Sequence, residues 1–102
     1  MAELVNDYKR LVRTLNVERA KRLRRRLDDL AAAANLAVMR GLPGRLHELK
    51  GSKSHDLSID LDGPYRLILV PSDDPIPLKK DGGLDWSGVT MVTIQRIEDT
   101  HE

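Results

Sequence analysis

The stretch LPGRLHELKGSKSHDLSIDLDGPYRLILVPS, residues 42–72, decides the fold, because it predicts two or three short antiparallel strands joined by tight turns. Residues 56–61 alternate between two faces, which is the pattern of a half-buried strand: Leu57, Ile59 and Leu61 point one way, and Asp56, Ser58 and Asp60 the other. Asp62-Gly63 is a turn dipeptide between two apolar runs, and Pro64, which lacks a backbone donor, belongs at the start of the next strand. Residues 65–70 are then almost continuously apolar, as a central strand is.

Two cations stand out in this stretch. Residues 47–51 lead into the hairpin with Lys50 directly before a glycine, and Arg66 lies inside the apolar strand. Two cations side by side on a sheet would form a phosphate-binding pair, because ammonium and guanidinium groups donate charge-assisted hydrogen bonds to phosphate oxygens. The stretch therefore predicts an anion site as well as a sheet.

The composition predicts one small domain with an aliphatic core. With 102 residues, no Phe, one Trp and two Tyr, the core must consist of Leu, Val, Ile, Ala and Met. The absence of cysteine excludes disulfides and thiolate zinc sites, and no sequence motif for a nucleotide, a metal or another cofactor occurs. No apolar run approaches the ~20 residues that cross a bilayer, and the N-terminus shows no apolar signal segment. We therefore expect a cytoplasmic protein without a metal or a cofactor.

The charges are segregated along the chain. Residues 1–50 contain 12 Lys or Arg and 6 Asp or Glu, whereas residues 51–102 contain 5 and 10. A basic half indicates contact with nucleic acid or with an acidic protein. The arginines at 24–26 spread around a helix at about 100° per residue, so Arg22 and Arg26 are better placed to line one face. A solvated helix surface is the plainer explanation of the same charges.

Two amphipathic helices are predicted before the strands. Apolar residues recur at helical spacing in residues 2–14 and again in residues 17–33, with Asn16 as the N-cap of the second helix. The short link makes the two helices an antiparallel pair, and the strands that follow are the obvious cover for their apolar surface. A short third helical turn, capped by Asn35, is expected at residues 36–40.

The last third of the chain predicts a long loop and one more strand. Residues 71–88 are rich in proline, glycine and acidic side chains, and Trp86 near their end would anchor the loop to the core. Residues 89–97 alternate as a strand with two faces: Val89, Met91, Thr93, Gln95 and Ile97 against Thr90, Val92, Ile94 and Arg96. Helices followed by an antiparallel meander define an α+β fold, with residues 1–102 as a single domain.

Five side chains are candidates for chemistry on an RNA phosphate: His47, Lys50, Arg66, Asp99 and His101. Cleavage by a 2′-hydroxyl needs a base for that hydroxyl, an acid for the leaving 5′-oxygen and cations for the charge that develops on the phosphate. Histidine suits the first two roles, and Lys or Arg the third. All five lie on or beside predicted strands, so one sheet surface would gather them. Scattered histidines are more often polar residues of strand edges and chain ends, and the spacing alone does not decide between the two interpretations.

Four segments together resemble HigB-like toxins of the RelE/ParE superfamily: LPGRLHELKG, LSIDLDGPYRLILVPSDDPIP, KKDGGLDWSGVT and the C-terminal EDTH. The likeness covers residues 8–101. It implies a RelE-like α+β fold, with two N-terminal antiparallel helices packed on a small antiparallel β-sheet. It also implies the toxin half of a type II toxin–antitoxin system. Such toxins cut mRNA in the ribosomal A site, and a helix-turn-helix antitoxin, here HigA-like, silences them.

The resemblance also implies roles for the candidate residues. Lys50 and Arg66 match positions that contact and stabilise the phosphate, and His47 matches a histidine near the active site. Asp99 and His101 match the acid and the histidine of the family's terminal D-Y-H, with His101 as the acid/base.

Two positions depart from the family pattern. Met1 begins where a first strand of the form I-x-x-F would end, so the sheet is expected to lack that strand. The edge left open could then pair with a second copy in a homodimer or with a partner strand. Thr100 replaces the usual Tyr of D-Y-H, which removes an aromatic group that would stack or hydrogen-bond.

Two alternatives stand beside the nuclease. One is a gyrase-poisoning toxin of the same superfamily, which Lys50 and the terminal Asp-x-His disfavour. The other is a catalytically weak or inactive toxin homologue that acts as an antitoxin-binding module, which the two departures favour.

Overall fold

The computed structural model describes residues 3–5, 16–51 and 54–99. The elements in these ranges are β1 Glu3–Val5, α1 Val17–Ala32, a 3₁₀ helix Leu36–Gly41, β2 His47–Glu48, β3 Leu57–Asp62, β4 Tyr65–Pro71, a second 3₁₀ helix Trp86–Gly88 and β5 Met91–Asp99. The strands form one sheet in the order β1-β5-β4-β3-β2. The predicted α+β class is confirmed, and within the described ranges no helix is long and apolar enough to cross a membrane.

The β3–β4 hairpin follows the predicted pattern. The two strands pair antiparallel, with Ile59 opposite Leu67 and Ser58 opposite Ile68. Gly63 in the turn has a φ of +54°, a left-handed conformation that glycine adopts without a Cβ clash. β2 adds an edge strand, as expected from the sequence that leads into the hairpin. The alternation of β3 therefore places one set of side chains toward α1 and the other set on the opposite face.

α1 supplies the other half of the core. Asn16 Oδ1 accepts a hydrogen bond from the backbone N–H of Arg19 at 2.8 Å, which confirms the predicted N-cap. The apolar stripe of the helix buries Leu23, Leu27 and Leu30. Strands and loops complete this core with Ala33, Leu36, Met39, Leu46, Leu57, Ile59, Leu61, Leu67, Leu69, Leu84, Trp86, Val89, Val92 and Ile94. As the composition predicts, the core is almost entirely aliphatic.

The N-terminus corrects two predictions, a helix over residues 2–14 and a missing first strand. Glu3–Val5 form β1, which pairs parallel with β5 and sets Leu4 opposite Val92. A short apolar run fits the strand period as well as the helical one, and the edge of β5 offers backbone hydrogen-bonding groups to any strand beside it. β1 therefore covers the edge that was expected to stay open. The rest of the first predicted helix, residues 6–15, lies outside the described residues.

β5 departs from strict alternation. Its ladder with β4 shifts at Gln95, which is an extra residue in a β-bulge. Ile94, before the bulge, is buried in the core, and Ile97, after it, packs against the core. Arg96 lies opposite Ile68 and faces away. The prediction that Arg96 shares a face with Ile94 is wrong, because the bulge turns it to the other side of the sheet.

The loop between β4 and β5 is fastened by Asp73. Its carboxylate accepts hydrogen bonds from the Thr90 backbone N–H at 3.0 Å, the Thr90 hydroxyl at 2.8 Å and the Met91 backbone N–H at 3.2 Å. Partial burial raises the pKa of Asp73. The hydrogen bonds from Thr90 and Met91 lower the pKa by more than burial raises it, so the net pKa is below its ordinary value. The ionised carboxylate thus ties the start of the loop to the start of β5.

Trp86 anchors the other end of this loop, as predicted. It is 8% exposed, and the guanidinium of Arg40 lies 4.5 Å from the centre of its ring. Arg40 belongs to the 3₁₀ helix Leu36–Gly41, which confirms the predicted third helical turn. Asn35 makes no side-chain capping bond to that turn, contrary to the prediction.

Candidate functional site

The sheet face opposite α1, here called the distal face, gathers charged side chains from four strands. Residues directly opposite each other in a sheet lie on the same face, so the register defines two rows. The first row crosses β2, β3, β4 and β5: His47, Ser58, Ile68 and Arg96. The second row crosses β3, β4 and β5: Asp60, Arg66 and Glu98.

Two carboxylates pair with three arginines on this face. Asp60 Oδ2 accepts a hydrogen bond from Arg45 Nε at 2.7 Å, while Asp60 Oδ1 lies 3.8 Å from Arg66 Nε. Glu98 Oε2 pairs with Arg96 Nη2 at 3.0 Å. The hydrogen bond to Asp60, with the charge of the same carboxylate, raises the pKa of Arg45. Because the arginines outnumber the carboxylates by three to two, the cluster is cationic.

Arg66 is the member of this cluster best placed for an incoming anion. Its side chain is 33% exposed, and its 3.8 Å contact with Asp60 is longer than a hydrogen bond. A guanidinium has five N–H donors in a planar fork that matches two phosphate oxygens at once. Arg66 can therefore turn donors toward a phosphate while Asp60 stays close enough to limit the positions of its side chain.

His47 offers an imidazole in the neighbouring row. Its Nδ1 lies 2.7 Å from the carbonyl oxygen of Arg45. A carbonyl oxygen only accepts, so Nδ1 carries the hydrogen, and in the neutral ring Nε2 holds the lone pair. The backbone thus fixes the tautomer in which Nε2 can take a proton from a nearby hydroxyl.

The other predicted site residues lie elsewhere. Lys50 is exposed in the turn after β2. Asp99 ends β5 opposite Tyr65, and since neighbours in a strand alternate, it lies on the α1 side of the sheet rather than with Arg66. His101 lies outside the described residues. Of the five candidates, the register brings His47 and Arg66 to the distal face.

Four charged residues of the distal face were missed in the sequence: Arg45, Asp60, Arg96 and Glu98, which lies opposite Arg66. Asp60 is on the polar side of the β3 alternation, so its place beside Arg66 follows once the hairpin register is counted. Arg96 was hidden by the bulge in β5. Arg45 has a φ of +48°, an unusual conformation for a non-glycine residue that no local pattern indicates.

This face carries a group that can bind a phosphate and, two strands away, a group that can take up a proton. Guanidinium groups supply the electrostatic stabilisation, and the His47 ring supplies the proton acceptor. Within the described residues, no group of three or more His, Asp or Glu side chains is arranged to hold a metal ion.

Comparison with known protein families, with curated proteins and with solved structures finds no match to this chain. The class that its own fold and site define is a small α+β protein with a cationic, imidazole-bearing sheet face.

Proposed function

We propose that this protein is the toxin component of a type II toxin–antitoxin system, a ribosome-dependent mRNA endoribonuclease similar to HigB. One observation carries the proposal: Arg66 and His47, both implied by the resemblance, lie on the same face of the sheet. Cation and imidazole on one rigid surface are what phosphate cleavage by a 2′-hydroxyl needs.

In the proposed reaction, a base removes the proton of the 2′-hydroxyl, whose oxygen then attacks the adjacent phosphorus. The bond to the 5′-oxygen breaks as an acid protonates that oxygen, which gives a 2′,3′-cyclic phosphate and a 5′-hydroxyl. His101 is the proposed acid/base, with Asp99 close to it in sequence and His47 as a second imidazole. Arg66 stabilises the charge on the phosphate oxygens, and Lys50 is proposed to assist it from the turn after β2.

The proposed partners follow from the same class. They are mRNA on the ribosome and a HigA-like helix-turn-helix antitoxin, and both imply a cytoplasmic protein. A homodimer or a toxin–antitoxin hetero-oligomer is the proposed assembly.

Induced expression in bacteria tests the nuclease. Wild type is expected to arrest growth and to produce mRNA 5′ ends in phase with the ribosome. Arg66→Ala and His101→Ala are each expected to reduce cleavage by roughly 10²-fold or more, since each removes charge stabilisation or proton transfer. Lys80→Ala, in an exposed part of the loop, is the matched control and should behave as wild type. Circular dichroism of the purified variants checks that they remain folded.

The second candidate is an antitoxin-binding module without nuclease activity. The carboxylates favour it, because Asp60 and Glu98 already pair with Arg45 and Arg96 in the place where a substrate phosphate would compete. Normal growth and unchanged mRNA ends, together with stoichiometric antitoxin binding, would replace the nuclease with this function.

A further inference from the structure

A second basic surface lies on α1, away from the distal face. It is a groove of about 290 Å³ lined by Glu18, Lys21, Arg22, Arg25 and Arg26. Side chains three and four positions apart on a helix lie on one side of it, so four cations and one carboxylate share this groove. The one carboxylate among the described lining residues is weakly engaged: Glu18 lies 3.9 Å from Lys21, and both side chains are largely exposed.

Arg26 is the unusual member of the groove. Its side chain is 9% exposed, and its nearest carboxylate, Asp29 Oδ2, lies 3.7 Å from Nη1. Both Nε and Nη1 are buried without a hydrogen-bond partner in the described part of the chain. A buried guanidinium with unsatisfied donors costs folding free energy. Within the described residues, Asp29 therefore compensates the charge of Arg26 only in part.

The surrounding structure holds two of the groove's cations, Arg22 and Arg26, in place. Gly44 passes so close to Arg26 that a Cβ at Gly44 would lie 3.0 Å from Arg26 Nε. Arg22 Nη1 donates a hydrogen bond to the backbone carbonyl of Leu61 at 3.2 Å, which ties it to the end of β3. Positively charged groups that are fixed before a ligand arrives lose little conformational entropy when it binds.

The lining of the groove indicates which ligand it suits. Among the described residues that line it, none has an apolar side chain, whereas peptide interfaces depend on buried aromatic or aliphatic anchors. None of these lining residues has an aromatic ring on which a base would stack. Charge without apolar or stacking groups is typical of contacts to a phosphate backbone, which are independent of sequence.

We propose that the α1 groove binds the phosphodiester backbone of RNA, at a site separate from the distal face. The choice of RNA rests on the proposed function, whereas the recognition of phosphate rests on the groove itself. Lys21 and Arg25 contact the phosphates directly, and the buried charge of Arg26 adds to the electrostatic attraction between the groove and the phosphates.

Binding of a fluorescent 12-residue RNA with 2′-O-methyl groups, followed by anisotropy at several salt concentrations, tests the proposal. The 2′-O-methyl groups block cleavage, so nuclease activity does not affect the result. Lys21→Gln with Arg25→Gln is expected to weaken binding roughly tenfold at 0.1 M salt and to reduce the slope of log K against log salt by about 1.4, the value for two lost phosphate contacts. The control is Arg24→Gln with Lys80→Gln, which removes the same charge from exposed residues outside the groove.

Arg26→Met separates a binding role from a structural one. If Arg26 serves the ligand, the variant has weaker RNA binding and a melting temperature equal to or above that of wild type, since unsatisfied buried donors are removed. A lowered melting temperature with unchanged RNA affinity would make Arg26 structural and overturn its part in the site.

Two further results would overturn the proposal that the α1 groove binds RNA. One is equal RNA affinity for the groove variant and its control. The other is tight, Arg25-dependent binding of a ten-residue glutamate peptide without RNA binding, which would identify an acidic protein as the partner. RNA binding that depends on the groove in a protein without cleavage activity would support the groove and reject the nuclease, so the two proposals can fail separately.

Discussion

Asp73 is a single side chain whose protonation is expected to control a loop. Its hydrogen bonds to Thr90 and Met91 hold its pKa below the ordinary value. A lowered folded-state pKa contributes stability that is complete above the unfolded-state pKa, near 4, and is lost as the pH falls through the folded-state value. Asp73→Asn is therefore expected to lower the free energy of unfolding by about 1 kcal/mol at pH 7, with the difference from wild type closing below about pH 4.

Urea unfolding of both proteins between pH 2.5 and pH 7 measures this difference. Asp74→Asn is the matched control, because Asp74 is its exposed neighbour. A stability gap between wild type and Asp73→Asn that stays constant down to pH 2.5 would show that charge on Asp73 plays no part.

Gly44 lies in the turn before β2 and packs closely against both β3 and α1, so its conformation affects both elements. Its φ is +109°, and a Cβ would lie 2.7 Å from Ile59 Cγ2 as well as against Arg26. Its carbonyl accepts a hydrogen bond from the Asp60 backbone N–H at 2.7 Å, which sets the chain along β3. Gly44→Ala is expected to destabilise the fold by about 2 kcal/mol, from backbone strain and steric clash.

Gly41→Ala is the control for this substitution, since a Cβ at Gly41 meets no atom within 4 Å. Its effect on the free energy of unfolding should stay within about 0.5 kcal/mol. Equal midpoints in urea for the two variants would contradict the assigned role of Gly44.

At the level of elements, the sequence predicted what local chemistry determines. The β3–β4 hairpin, α1 with its Asn16 cap and the 3₁₀ helix Leu36–Gly41 each have a turn residue, a cap or a period that marks them. β1 depends instead on the distant β5, and the bulge at Gln95 depends on how β5 fits β4. Neither feature has a local signal, because both are decided by pairing partners far apart in sequence.

The candidate site likewise contains some residues that the sequence indicates and others that only the three-dimensional structure reveals. Arg66 and His47 could be chosen from residue type and strand position, and the register brings both to the distal face. Arg45 and Arg96 join them only through a left-handed backbone conformation and a bulge. The sequence also could not predict that basic side chains form two separate surfaces, the distal face and the α1 groove. The balance of charges along the chain does not say on which side of a sheet each charge lies.

For the whole molecule, stability rests on one aliphatic core shared by α1 and the sheet. Leu23 is completely buried in it, and a close-packed core refills only part of the space left by a shortened leucine. Leu23→Ala is therefore expected to lower the free energy of unfolding by about 2–5 kcal/mol. For a domain of this size such a loss is a large part of the total free energy of unfolding. The unfolding midpoint should therefore shift to a much lower urea concentration, with the transition still cooperative.

Val17→Ala is the control, because it truncates an apolar side chain at the 69% exposed start of the same helix without opening a cavity. It should change the free energy of unfolding by less than about 0.5 kcal/mol. Similar losses in the two variants would contradict the assigned packing of Leu23, because neither substitution lowers helix propensity and only Leu23 is buried.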